Sequence, residues 1–368
     1  MRDTNSLFEP FNIGTITLNN RVGVAPMTRI SATEKGFVTD KMIKYYSSFA
    51  DGGFGLIISE GTYIDDKYSQ TYDFQPGIAF DEQAQEWKKV VNAVHSAGSA
   101  IFMQLQHTGP LSQGNRFTDE TVAPSSFQPK GEQLKFYLGE GPFQLPREIT
   151  KEEIADVKNS FVEAAKRAKS VGFDGIELHG ANGYLLDAFL TEYTNQRTDE
   201  YGGTTENRAR LLVEIIHEVR KSVGEDFTIG IRISQSKVNE YSHHLSGKEP
   251  DAAIIFGALG KTGLDYIQVT EYKAWQPAFE TGKASLAALA KEYSQLPIIA
   301  NGHLEKPERA SEMINNGHAD VINLGKGALA NHDWVKKVQN EEPLEAFDSE
   351  KLLHPTAVIK DFELQMKK

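Results

Sequence analysis

The sequence predicts an α/β fold in a single domain, organised as a (β/α)8 barrel with a long loop after the third strand. Three observations carry that expectation. Short apolar strand signals alternate with amphipathic helical patterns along most of the 368 residues, the signature of parallel strands joined by helical crossovers. No Pro/Ser/Gly-rich linker or low-complexity tract divides them, and a barrel is a single domain that reaches this length. The apolar strands also end in polar residues, as they do where the C-terminal rim of a barrel carries a site.

In chain order, the first strand is RVGVAP (21–26), which follows the Asn19–Asn20 turn and ends in Met27, Thr28 and Arg29. A helix over about 39–51 leads to the second strand, GLIIS (55–59), with Glu60, Gly61 and Thr62 beyond it. In the helix from Asp81, Trp87, Val90, Val91 and Val94 recur at i, i+3, i+4 and i+7, so one face packs on a sheet. The third strand, AIFMQLQ (100–106), carries Gln104 and Gln106 near its end. Residues 107–147 show no periodicity, and a loop of that length in a compact domain is read as a cover over the C-terminal end of the barrel.

Thr150 and Glu153 form a capping box, opening a helix lined by Ile154, Val157, Phe161 and Ala165. The fourth strand is expected at 173–178, with His179, Asn182 and Tyr184 in the turn beyond it. A helix from Thr204, apolar at Leu212, Ile215, Ile216 and Val219, precedes the fifth strand, FTIGIRI (227–233). The sixth strand (264–270) is followed by Glu271, Tyr272 and Trp275. The seventh (296–300) ends in Asn301, Gly302 and His303, and the eighth (320–324) in Gly325, Lys326 and Gly327. Residues 1–340 make the barrel; 341–368 form a charged tail that packs on it or on a neighbouring subunit, and a homo-oligomer stays open.

Composition removes several function classes. The 39 basic and 51 acidic residues give a net charge of -12, which disfavours nucleic acid and anionic membranes because both need a cationic surface. With no cysteine, thiolate nucleophiles, disulfides and iron–sulfur centres drop out, and no metal site is expected. The opening MRDTNSLFEPFNIG has no apolar leader, and no apolar run approaches ~18 residues. A cytoplasmic protein with a small-molecule partner is the expectation.

The chemistry concentrates in ELHGANGYLLDAFLTEYTNQRTDEYGG (177–203). An imidazole and a carboxamide side by side can donate two hydrogen bonds to one carbonyl oxygen and stabilise charge growing there. Tyr184, with an ordinary pKa of about 10, stays protonated at neutral pH and can deliver a proton. Arg232 stands among apolar neighbours, where a buried cation calls for a ligand or a carboxylate. Glycine amides after the last two strands of a barrel suit a phosphate. Each feature taken singly has an ordinary structural explanation; a histidine, an amide and a phenol together at one strand end do not.

The 177–203 stretch resembles the signature of the Old Yellow Enzyme family, FMN-dependent ene-reductases on a (β/α)8 barrel, and matching pieces run from Leu7 to about Trp334. The resemblance implies that His179 and Asn182 hold the substrate carbonyl and that Tyr184 is the proton donor. It implies FMN contacts for Pro26, Met27 and Thr28, with the Thr28 hydroxyl at the ring's O4; the family's other branch has Cys there. Gly61 and Gln104 fall at the pyrimidine end of the ring, and Arg232 near N1 and O2. Asn301, Gly302, Gly325 and Lys326 fall at the phosphate. Two departures stand out: Gln106, in the substrate pocket, replaces a frequent Trp, and Lys326 replaces a usual Arg.

The implied activity is a hydride relay from NADH or NADPH through FMN to the C=C bond of an α,β-unsaturated carbonyl compound or a nitro compound. Two alternatives stay open: an NAD(P)H:flavin or NADH oxidase using oxygen or free flavin, and a catalytically idle FMN-binding protein. The iron–sulfur branch of the family needs cysteines that this chain lacks. Arg197, Asp199, Glu200 and Tyr201 are read as a structural charged turn.

Overall fold

The computed structural model describes residues 4–365; residues 1–3 and 366–368, the extreme ends of the predicted barrel and tail, lie outside the described residues. Eight parallel strands close on themselves: strand 1 (Val22–Val24), strand 2 (Leu56–Ile58), strand 3 (Ala100–Gln106), strand 4 (Gly175–Asn182), strand 5 (Thr228–Lys237), strand 6 (Tyr266–Thr270), strand 7 (Ile298–Asn301) and strand 8 (Val321–Leu324). Each pairs with its successor, and strand 8 pairs back to strand 1 through Leu324↔Val24. Right-handed helical crossovers are the ordinary way to join parallel neighbours, and the helices expected from periodicity fill that role. Asp81–Ser96 buries Trp87, Val90, Val91 and Val94. Lys151–Ser170 opens on the predicted capping box, with Thr150 Oγ1 accepting from Glu153 N and Glu153 Oε2 from Thr150 N.

The barrel interior is layered by polarity. At its N-terminal end Leu56, Ile58, Phe102, Tyr266, Ile299 and Val321 form an apolar plug. A hairpin of Phe11–Ile13 and Ile16–Leu18 seals it, inserting Ile13 and Leu18. Toward the C-terminal end the interior turns polar with Gln104, Glu177, Arg232, Gln268 and Asn323, all buried. Buried polar groups cost free energy unless partnered, and these bond largely within the barrel, Gln104 to Glu177 and Arg232 to Thr270 and Asn301.

Strand 4 departs from expectation. It continues through His179 to Asn182 because strand 5 pairs alongside it, Arg232 opposite His179 and Ile233 opposite Gly180. His179 is therefore a barrel residue, and a helix at Leu185–Leu190 follows at once. The 107–147 segment is irregular apart from short pieces: 3-10 turns at Gly109–Leu111 and Lys135–Tyr137, and a bridge between Val122–Ala123 and Arg147–Glu148. Arg197 ties this region down, bonding Asp199 and the carbonyls of Pro124 and Ile149.

At the other end of the chain, Glu363 makes a two-pronged buried pair with Arg29, at 2.8 and 2.7 Å. Arg29 Nε also donates to Ala357 O, at 2.9 Å. The segment 357–363 is thereby fastened beside the tip of strand 1.

Candidate active site

The strand-4 end and its neighbours converge on one buried cluster. His179 is 3 % exposed, and its ring meets that of Tyr184 edge-on at 4.9 Å. Its Nδ1 is buried without a partner. Burial, reinforced by the charge of Arg232, holds the imidazole well below its ordinary pKa, so the ring is neutral and carries one N–H. Tyr184 lies with its hydroxyl 2.7 Å from that of Tyr72 and beside the Gln106 amide; burial pushes its pKa up to about 12. It is therefore a protonated phenol across the physiological range.

Asn182 stands three residues from His179, a spacing that puts side chains on opposite faces of a regular strand. Its φ of +66° takes it out of that alternation. Asparagine tolerates this left-handed conformation better than most residues.

Gln106 donates through Nε2 to Thr71 Oγ1 at 2.7 Å. A Cβ on Gly61 would fall 1.6 Å from Gln106 Oε1, so any larger residue at 61 would displace the amide. The resemblance puts Gly61 at the pyrimidine end of the ring; here a neighbouring side chain occupies the space a Cβ would take. Gln104, which the resemblance puts at the same end of the ring, donates through Nε2 to Glu177 Oε1 at 2.8 Å, while Tyr266 OH donates to Glu177 Oε2 at 3.2 Å. With its Nε2 turned to Glu177, Gln104 presents its oxygen as the free face.

Arg232 is buried, and its hydrogen bonds go to neutral oxygens, Thr270 Oγ1 at 3.1 Å and Asn301 Oδ1 at 3.0 Å. The Gln268 amide lies between Arg232 Nε and Glu177 Oε2, one of its atoms 3.2 Å from each. Glu177 is thus coupled to Arg232 through an amide rather than by direct contact. Burial raises Glu177 to about 7 despite that cation.

Next to Arg232, Asn301, Gly302, Gly325, Lys326 and Gly327 border a hollow of ≈ 190 Å³. Beyond Gly325 the nearest atom to an added Cβ is Met27 Sδ, at 3.6 Å. Lys326 is exposed, its ammonium 5.6 Å from the Phe347 ring centroid. Pro26 is buried, and Met27 and Thr28 are half-buried at the tip of strand 1. Tyr137, from the long loop, donates to Thr28 O at 3.4 Å and packs on Tyr72 at 4.5 Å. The loop therefore does lie over the strand ends.

A buried guanidinium paired only with neutral oxygens, an unpartnered histidine nitrogen and a glycine-edged hollow fit a ligand with an anionic group at one end and a polar planar one at the other. A family model described as the NADH:flavin oxidoreductase / NADH oxidase family matches residues 6–345. The chain belongs to that family. It is an FMN-dependent oxidoreductase of the Old Yellow Enzyme group, and it draws on a nicotinamide cofactor.

Relatives bear on both ends of the reaction. A protein named NADH oxidase from Thermoanaerobacter brockii is 36% identical over 348 residues, covering 91% of this chain; the match spans 50% of that protein. A probable flavin mononucleotide-dependent alkene reductase from Leishmania infantum is 35% identical over 347 residues, covering 92% of this chain and 91% of its own. The solved Old Yellow Enzyme homologue from Zymomonas mobilis superposes with a TM-score of 0.84 at 32% identity, covering 93% of this chain and 94% of that one.

Several residues of the cluster are not legible in the sequence, Gln268, Thr270 and Tyr266 among them. Tyr72 and Thr71 lie in the loop after strand 2, which has no period to betray it. Asp187 and Lys237, paired at 2.6 Å, hide in a leucine-rich helix and in the irregular end of strand 5. Glu177 was visible as a carboxylate inside an apolar strand, and that was its only signal.

Proposed function

We propose that the chain reduces the C=C bond of α,β-unsaturated carbonyl compounds, and of nitro compounds that present the same polarised bond, at the expense of NADH or NADPH. The observation that carries this reading is a neutral His179, its Nδ1 without a partner, edge-on to the protonated Tyr184, with Asn182 three residues along the same strand. Two uncharged donors suit a carbonyl or nitro oxygen on which negative charge develops, since they polarise it without protonating it. A phenol held at high pKa keeps its proton until an adjacent carbon becomes basic enough to take it.

Arg232, Gln104 and Thr28, with Pro26 and Met27, would hold the ring of FMN, and Gly61 would leave room for the Gln106 amide beside it. Asn301, Gly302, Gly325 and Lys326 would hold its phosphate. Bound FMN supplies the hydride that it has received from the nicotinamide. Arg232 would stabilise the negative charge that reduction places near it, for which its neutral partners leave it available. Lys326 offers a point charge rather than a two-pronged fork, so backbone N–H groups of the glycine turns carry more of the phosphate binding. Gln106, joined to Thr71, forms part of the substrate pocket wall.

NADPH oxidation with cyclohexenone under nitrogen tests the reading against oxidation by oxygen alone. Faster turnover with the enone supports it. Turnover with oxygen alone that an enone does not raise supports the oxidase reading, in keeping with the Thermoanaerobacter relative's name.

A further inference from the structure

The turn that carries Asn182 is held by a buried ion pair. Lys237 Nζ lies 2.6 Å from Asp187 Oδ1, and both side chains are 2% exposed. Taking two charges out of water costs several kcal/mol, and a well-packed apolar pair is often at least as stable. Stability alone therefore gives no reason for this pair.

Its geometry does. The second oxygen of Asp187 accepts the N–H of Gly183 at 2.5 Å. Asn182 and Gly183 have φ of +66° and +91°, two successive left-handed residues that an Asn-Gly pair adopts readily, and the bond from Gly183 N to Asp187 fixes the turn in place. A Cβ at 183 would sit 2.9 Å from Leu111 Cδ1. Strand 5 supplies the other restraints: Ser234 Oγ accepts from Asn182 N at 2.9 Å, and Val238 N donates to Asn182 O at 3.1 Å. Lys237 itself stands in register with Asn182, after the irregular stretch from Ile233. Tyr184 has separate anchors, because Leu185 N donates to His107 O and Tyr184 O accepts from Ala188 N.

We propose that Lys237, acting through Asp187 and the Gly183 N–H, is a positioning residue that aims the Asn182 amide at the substrate's oxygen. The inference rests on the proposed function above. Without the ammonium, Asp187 is a buried carboxylate lacking its cation, its hold on Gly183 loosens, and the Asn182 amide loses its direction while Tyr184 stays in place.

The test is a double-mutant cycle read by binding of p-hydroxybenzaldehyde, a phenolic probe, to the FMN-loaded enzyme, followed by charge-transfer absorbance. Lys237→Met weakens binding roughly tenfold in the native background but less than about twofold further in the Asn182→Ala background, because contacting partners couple and independent ones add. Lys237→Arg, which restores the cation, recovers most of the affinity. Lys237→Gln, which keeps a donor and much of the volume, is carried through the same cycle, so a poorly folding Met variant leaves the comparison intact. Unchanged affinity, or an equal loss in both backgrounds, overturns the proposal and leaves the function reading standing. A native enzyme that binds no phenol overturns the function reading, and this inference with it.

Discussion

Tyr184→Phe removes one oxygen and keeps the ring. That oxygen lies 2.7 Å from Tyr72 OH, and burial holds its pKa at about 12. A positioned general acid contributes typically 10²–10⁴-fold. A phenol this weakly acidic, with a second phenol in contact to pass on a proton in its absence, belongs at the low end, so enone-dependent reoxidation should slow roughly 100-fold. Flavin reduction by the nicotinamide needs no proton from Tyr184 and should stay within about threefold, less than the ~1.4 kcal/mol of a tenfold change. The variant also leaves Tyr72, 2% exposed, without its hydroxyl partner, at about 1–3 kcal/mol of stability. Stopped-flow measurement of the two half-reactions, made well below the lowered melting temperature, separates the effects. Equal slowing of both halves, or an unchanged reoxidation rate, refutes the assignment of Tyr184 as proton donor.

Three further outcomes are expected. His179→Ala with Asn182→Ala should remove phenol binding, each donor contributing about 1.5–3 kcal/mol toward a phenolate oxygen; a retained charge-transfer band contradicts the oxygen site. Arg232→Met should weaken FMN binding by roughly ten- to a hundredfold while leaving the melting temperature of the flavin-free protein equal or higher, since it removes a buried cation whose hydrogen bonds go to neutral groups; lower stability with unchanged FMN affinity contradicts it. Glu177 is raised from 4.5 to about 7, so the fold binds its proton more tightly than the unfolded chain does. Its contribution is full below about pH 4.5 and lost as pH rises through 7, an amount of about 3 kcal/mol. The flavin-free native protein should therefore lose that stability relative to Glu177→Gln across this window, and parallel denaturation curves contradict it.

The barrel was legible because its strands are short apolar runs bounded by glycine and polar residues, and six of the eight fall within three residues of expectation at both ends, while strands 4 and 5 each run four residues past it. Strand 4 runs past Leu178, where Gly180 and Gly183 suggest a turn. Pairing with strand 5 outweighs that local signal. The helix Lys248–Leu259 went unread, with Pro250 near its start and apolar residues crowding its later turns.

At the site, His179, Asn182, Tyr184 and Arg232 were visible as residue types at a strand end. What sequence could not show were partners from distant loops. Tyr72 meets Tyr184 across 112 positions and Arg29 meets Glu363 across 334, and no local spacing encodes such contacts. The roles of Gly61 and Gln104 also turned on neighbours, Gln106 and Glu177, whose directions only the folded barrel fixes.

The most direct test of the central claim is an anaerobic absorbance titration of the purified protein. A yellow protein with the bands of oxidised FMN, bleached by NADPH under nitrogen and restored by cyclohexenone, is the predicted result. A colourless protein that takes up no FMN, or a bleached flavin that oxygen restores and the enone does not, would contradict it.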